Sequence, residues 1–228
     1  MILQPLAQVA IYALILSAVL SAKLPGIDNK YAYAIYLMAG ILCWSLFSEI
    51  VIRCLTIFVE SGNLLKKIVF PRISLSLIVS GVALVNNLLL FLAIIVVFAL
   101  LGHVPGWTLL WLPGMFALTV ALGIGLGLIL GVLNVFVRDV GQAVPVLLQL
   151  GFWFAPIVYM PSIIPETYRG VLELNPIYPL VTGYQNILVF GTQPPFSDLS
   201  WVIGLAVGLL GTALFMFRRA SPEMVDML

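Results

Sequence analysis

Of the 228 residues, 63% are hydrophobic and only 8% charged, and the mean hydropathy is +1.19. That balance excludes a soluble domain and requires lipid as the solvent. A net charge of +1 offers neither the basic field that would seek nucleic acid nor an acidic tail for a basic partner.

Closed barrels also cross membranes, but their strands alternate apolar and polar residues. Here the apolar runs are unbroken and of helical-span length. With about 20 apolar residues to a crossing, six spans are expected, at about 2–22, 34–52, 75–101, 109–133, 142–160 and 199–217. The fold class is therefore an all-α membrane protein forming a single transmembrane domain over residues 1–228. The first span begins almost at Met1, without the charged flank and short apolar core of a signal peptide, so it is read as a true crossing.

The second span carries Cys43 and Cys54, about three turns apart, a spacing that suits neither a disulfide nor a metal site. They read as small buried apolar residues. Glu49 is the one acidic residue within a span, four residues before Arg53, the separation at which a helix pairs opposite charges. Structural pairing or headgroup anchoring is the expected role. Proton- or sodium-driven carriage needs more buried carboxylates than this.

After the second span comes the loop GNLLKKIVFPRISLS (Gly62–Ser76). Two lysines, an apolar triplet and Phe70-Pro71-Arg72 predict a short amphipathic helix ended near Pro71. Chemistry alone leaves two readings open: a solvated anchoring loop, or a helix that docks into a partner. No lysine follows a glycine, so a Gly-Lys-Ser/Thr phosphate loop is impossible and any nucleotide energy must come from another subunit. His103, in a tight turn beside Pro105, has no Cys, Asp or Glu close in sequence and reads as an interfacial histidine rather than a metal ligand.

In the fourth span Gly123, Gly127 and Gly131 repeat every four residues, and in the sixth Gly204 and Gly208 do the same, which predicts close helix packing. Between the fifth and sixth spans, residues 161–198 are longer than an ordinary membrane hairpin. Pro165 opens one expected short helix stopped by Asn175-Pro176, and Pro179 opens a second that runs to about Phe190 before Gly191. Each is too short to cross, which predicts a re-entrant or interfacial helical hairpin on the outer side.

Seven of the ten Lys and Arg residues fall on one side: Arg53, Lys66, Lys67, Arg72, Arg138, Arg218 and Arg219. Three, Lys23, Lys30 and Arg169, fall on the other. The positive-inside rule then predicts cytoplasmic termini.

The Gly62–Ser76 loop, the stretch LGLILGVLNVFVRDVGQAVPVLLQLGFWFAPIVYMPSIIP (Leu126–Pro165), the string ELNPIYPLV (Glu173–Val181) and the closing FRRASPEMVDML together resemble the type-2 ABC exporter permeases. Within that family the chain is similar to the membrane subunits of O-antigen and teichoic-acid polysaccharide exporters. The most specific parts are Asn134–Asp139, Phe152–Tyr159 and Asn175-Pro176. One departure is at the start, where family members usually carry a further amphipathic cytoplasmic helix before the ILQPL that stands here at Ile2–Leu6.

The resemblance implies a bacterial inner-membrane subunit that binds no cofactor itself, with ATP and magnesium held by a partner ATPase. It implies two copies of the chain enclosing a path for a polyprenyl-linked glycan, with two ATPase subunits beneath. The loop 60–73 would hold the coupling helix, with Asn63, Lys66, Lys67, Phe70, Pro71 and Arg72 at the ATPase. Arg138 and Asp139 would form a cytoplasmic helix-end element. The hairpin 161–198, with Pro165, Asn175, Pro176 and Pro179, would be an outer gate. Trp44, Phe47, Phe152, Trp153, Phe154 and Tyr159 are the candidate glycan path. The rival expectations are an exporter of drugs or simple lipids, and an intramembrane enzyme acting on polyprenyl phosphate; for the latter, only Arg138-Asp139 and Lys66-Lys67 supply charge.

Overall fold

The computed structural model describes residues 31–62, 73–161, 165, 170 and 172–227, with the side chains of 73, 74 and 221–227 left aside. The expected first span at 2–22 and the loop residues Asn63, Lys66, Lys67, Phe70, Pro71 and Arg72 lie outside the described residues.

Six α-helices are described in chain order: α1 (Ala32–Glu60), α2 (Ile73–Leu100), α3 (Leu112–Phe136), α4 (Asp139–Phe154), α5 (Ile177–Gln185) and α6 (Phe196–Met227). No strand occurs among the described residues. Four stretches are long and apolar enough to cross a membrane: Ala32–Glu60, Leu75–Leu100, Trp107–Phe136 and Phe196–Ala220. They match the expected second, third, fourth and sixth spans, and α1 and α6 run well past the expected ends. A 3-10 turn, Trp107–Trp111, leads into α3.

The expected fifth span differs more. Helix α4 begins at Asp139, three residues early, and stops at Phe154. Pro156 stands at the break: a proline disfavours the helical region for the residue before it, and here Ala155 leaves the helix. Pro145 lies inside α4 without ending it.

Two compact units make up the chain. The first comprises Met1–Ser45, Asn86–Phe116 and Phe152–Phe196, and the second Leu46–Val85, Ala117–Gly151 and Ser197–Leu228.

The core of the second unit lies between α1, α3 and α6. Phe58, Leu128, Val132, Ala213 and Phe217 are buried together, with the Phe58 and Phe217 rings stacked 5.5 Å apart. The glycines of α3 make this approach possible. A Cβ on Gly127 would stand 2.7 Å from Cys54 Cβ and 3.1 Å from Val51 Cα, and one on Gly131 would collide with the carbonyl oxygen of Cys54. The Gly204 and Gly208 pair of α6 behaves differently, because a Cβ on either meets nothing within 4 Å. Among the described residues of one chain, equal spacing thus serves packing in α3 and not in α6.

In the first unit, α1 and α2 are joined by a polar clamp. Asn87 is buried and donates from Nδ2 to Leu42 O at 3.1 Å and to Ser45 Oγ at 2.8 Å. Such interhelical bonds hold helices together where lipid gives no hydrophobic drive.

Candidate functional site

Beyond Phe154 the backbone runs without helical hydrogen bonding to Met160, and helix α5 follows after the Asn175-Pro176 stop. Carbonyls in such a stretch need partners, since an unsatisfied backbone group in apolar surroundings costs several kcal/mol. The first unit supplies them from side chains. Tyr33 Oη donates to Val158 O at 2.5 Å. Tyr36 Oη lies 3.1 Å from Pro156 O and 3.2 Å from Tyr159 O, and Gln185 Nε2 donates to Pro156 O at 2.9 Å. Ile157 N closes a tight turn onto Ala155 O at 2.7 Å.

Two helices therefore hold this strap, α1 through Tyr33 and Tyr36 and α5 through Gln185. Gly40 lets them close on it, because a Cβ there would sit 3.1 Å from Ile157 Cγ2 and 3.2 Å from Gln185 Nε2. Gln185 is the buried polar residue of an otherwise apolar helix face, and its position is set by α5 starting where it does. Asn175 fixes that start: its Oδ1 accepts from Ile177 N at 3.0 Å, while its Nδ2 reaches Phe154 O at 3.4 Å. One side chain thus caps α5 and touches the last carbonyl of α4.

Helix α5 is enclosed, not loosely laid on the surface. Ile177, Pro179, Leu180, Val181 and Tyr184 are all buried. It continues through a π-helical turn, Asn186–Phe190, to Gly191 in the left-handed conformation at φ +62°. The expected helix from Pro179 to Phe190 is thus present, begun two residues earlier. Its last carbonyls are orphans of the kind every helix end leaves. Asn186 O accepts from the Gly191 and Thr192 amides, Ile187 O from Thr108 Oγ1 at 2.9 Å, and Leu188 O from His103 Nε2 at 2.7 Å. A carbonyl only accepts, so that nitrogen of His103 carries the proton. The histidine read as interfacial is a helix-end cap.

The expected glycan-path aromatics are placed as follows. Trp44 is half-buried and meets Phe152 edge-on at 5.8 Å, and Phe152 meets Trp153 at 5.7 Å. Trp153 and Phe154 are exposed, and Tyr159 is half-buried in the strap. Phe47 is buried and belongs to the second unit rather than to this set. Pro165 is exposed, Asn175 and Pro176 are half-buried, and Pro179 is buried in the first turn of α5.

Arg138 and Asp139 sit exposed where α3 gives way to α4, Asp139 in the first turn of α4 where a negative charge suits the helix dipole. Nearby, buried Asn134 donates from Nδ2 to Leu55 O at 3.0 Å, and its Oδ1 lies against the Gly141 backbone so closely that a Cβ there would be 2.6 Å away. The Glu49–Arg53 pair expected from spacing is formed, with N–O distances of 2.8 Å to Oε1 from both Nε and Nη2. Among the described residues no cluster of His, Cys, Asp and Glu has the makings of a metal site.

Sequence reasoning did not single out Tyr33, Tyr36 or Gln185, and met Asn134 only as the first residue of the Asn134–Asp139 motif. A usable signal existed for the first three: an Ala-Pro step inside an apparent span frees carbonyls, and polar side chains elsewhere in apolar segments are the natural donors.

Several apolar helices of crossing length and a broken backbone tended by buried side chains are those of a multi-pass membrane protein. The chain belongs to the ABC-2 type transporter family, whose model matches residues 1–189. It is similar to an O-antigen export system permease protein, RfbA, of Klebsiella pneumoniae, at 26% identity over 215 residues, covering 92% of this chain and 80% of that one. It is also similar to the protein of the same name from Myxococcus xanthus, at 27% identity over 226 residues, covering 98% and 85%.

Proposed function

We propose that this chain is the transmembrane subunit of an ABC transporter that exports a polyprenyl-linked polysaccharide of the O-antigen class across the bacterial inner membrane. What carries the reading is similarity along nearly the whole chain to permeases of O-antigen export systems. The chain has no phosphate loop, so hydrolysis of ATP with magnesium falls to a separate ATPase subunit. Two copies of the chain pair with two ATPase subunits. Six spans, both termini cytoplasmic, leave the 161–198 hairpin outside as a gate and the 60–73 loop inside as the coupling element.

The chemistry suits a sliding polymer. Sugar faces stack on aromatic rings without a fixed register, and Trp44, Phe152, Trp153, Phe154 and Tyr159 supply such rings. Since α5 is enclosed and bonded through Gln185, a gate built on it moves together with the strap it holds, not as a loose flap.

The test is complementation. In a strain deleted for its own O-antigen permease, the chain expressed with its ATPase should restore surface glycan and clear the lipid-linked glycan trapped on the cytoplasmic leaflet. Phe70→Asp should abolish export while the chain still reaches the membrane. No restoration by the paired subunits, or ATP hydrolysis by the purified chain alone, would overturn the reading.

A further inference from the structure

The turn that joins α2 to α3 has an unusual composition. Between Arg72 and Arg138 the chain holds no Asp, Glu, Lys or Arg, so two crossing stretches, Leu75–Leu100 and Trp107–Phe136, are connected without a charged side chain from those four types. Turns that stand in water draw on Gly, Pro, Asn, Asp and Ser. This one adds Val104, Trp107, Leu110 and Trp111 to its glycines and Pro105.

The turn has two faces. Side chains three apart on a 3-10 helix eclipse one another, so Trp107 and Leu110 stand on one side of the Trp107–Trp111 segment. Val104 comes three residues before Trp107. All three are exposed, Trp107 at 89%, and no residue of the 3-10 segment is buried. Trp111 extends the row and meets Phe196, at the head of α6, edge-on at 5.0 Å; both rings are exposed. The polar side chains of the turn go to the hairpin instead: Thr108 Oγ1 donates to Ile187 O and His103 Nε2 to Leu188 O.

An uncovered row of this kind fits one environment. Indole is a broad apolar ring with a single N–H donor. Water leaves the ring exposed, and hydrocarbon leaves the N–H without an acceptor. The boundary between lipid headgroups and acyl chains satisfies both, which is why tryptophans gather at the ends of membrane helices. Three ends of crossing stretches belong to this cluster: the last turn of α2, the entry to α3 and the head of α6.

From these observations we infer that Val104–Trp111, with Phe196, is a lipid-surface anchor seated at the headgroup boundary. Its partner is phospholipid, recognised by the layering of polarity rather than by charge, since the turn has no Lys or Arg to hold an anionic headgroup. The inference goes beyond the export reading and stands whatever substrate is carried. It has a consequence for the hairpin: the π-helical end, bonded to Thr108 and His103, is held at the depth of that layer.

The depth of a nitroxide tests this in the full chain, reconstituted in vesicles of phosphatidylethanolamine and phosphatidylglycerol. Native Cys43 and Cys54 are fully buried, so the unaltered protein is the blank. Val104→Cys and Leu110→Cys are spin-labelled and compared with Leu89→Cys, an exposed position eleven residues before the end of α2. Oxygen collects in hydrocarbon and a nickel chelate stays in water, so their relative access reports depth. At 1.5 Å per residue, the Leu89 label should lie about 15 Å deeper than the two turn labels, which should sit near the phosphates. Omitting phosphatidylglycerol should leave all three depths unchanged.

Turn labels that meet the chelate as freely as a label in water would overturn the inference, and so would turn labels hidden from both reagents, which would mean that a second copy or another protein covers the row. A depth that depends on phosphatidylglycerol would overturn recognition by layering. An independent reading comes from fluorescence: Trp107→Phe should lower the fraction of tryptophan emission quenched by phospholipid brominated near its headgroup, and an unchanged fraction would also overturn the anchor.

Discussion

Alanine at Gly131 of α3 and alanine at Gly208 of α6 should act in opposite directions, although both glycines belong to motifs of the same spacing. On Gly131 the added carbon meets the Cys54 carbonyl oxygen, a backbone atom that cannot rotate away, so α1 and α3 must part. Overpacking of this kind costs about 1–3 kcal/mol. Alanine's better helix propensity returns at most about 1 kcal/mol. The expected net loss is therefore about 2 kcal/mol at Gly131. At Gly127, where the near atoms are Cys54 Cβ at 2.7 Å and Val51 Cα at 3.1 Å, it is about 1 kcal/mol.

Gly208 has nothing within 4 Å of the added carbon and keeps only the propensity gain. The two substitutions should differ by about 3 kcal/mol, or roughly two decades in the folding equilibrium constant. Titrating the purified chain from mild micelles with dodecyl sulfate, followed by tryptophan fluorescence, reads that difference. Should Gly131→Ala and Gly208→Ala shift the midpoint equally, α1 and α3 are not in the backbone contact described.

Two further outcomes follow from the buried polar bonds. Tyr36→Phe and Gln185→Leu should each lower the unfolding midpoint, and together cost about 1 kcal/mol more than their sum, because only the double variant leaves Pro156 O without either donor; simple additivity in a double-mutant cycle would show that the two side chains do not share that carbonyl. Asn134→Leu should destabilise by about 1 kcal/mol through loss of its bond to the Leu55 carbonyl, which keeps its helical partner, visible as a lower midpoint in the same titration, and a neutral result would remove Asn134 from its bridging role.

The long helices could be read from the sequence because an apolar run of crossing length leaves the backbone no cheaper choice than helix. The Glu49–Arg53 pair was equally plain, since both partners sit on one helix. What escaped the sequence depends on partners far apart in it. Ala155-Pro156 lay inside a run counted as span, and its consequence appears only when Tyr33 and Tyr36, some 120 residues earlier, are found donating to the freed carbonyls. Trp44 and Phe47 looked alike as path aromatics, yet Phe47 is buried while Trp44 is only half-buried. The repeated glycines of α3 and α6 cannot be told apart by spacing, because spacing does not say whether another helix stands opposite.

The strap between Phe154 and Met160 also bears on how the protein is made. Its donors straddle it in the order of synthesis: Tyr33 and Tyr36 are already in place when Pro156 leaves the ribosome, but Gln185 is still to come. A chain arrested before residue 185 carries the Pro156 carbonyl with one of its two donors, and with no α5 to cover it. The second side-chain bond to that carbonyl can form only once α5 has been made.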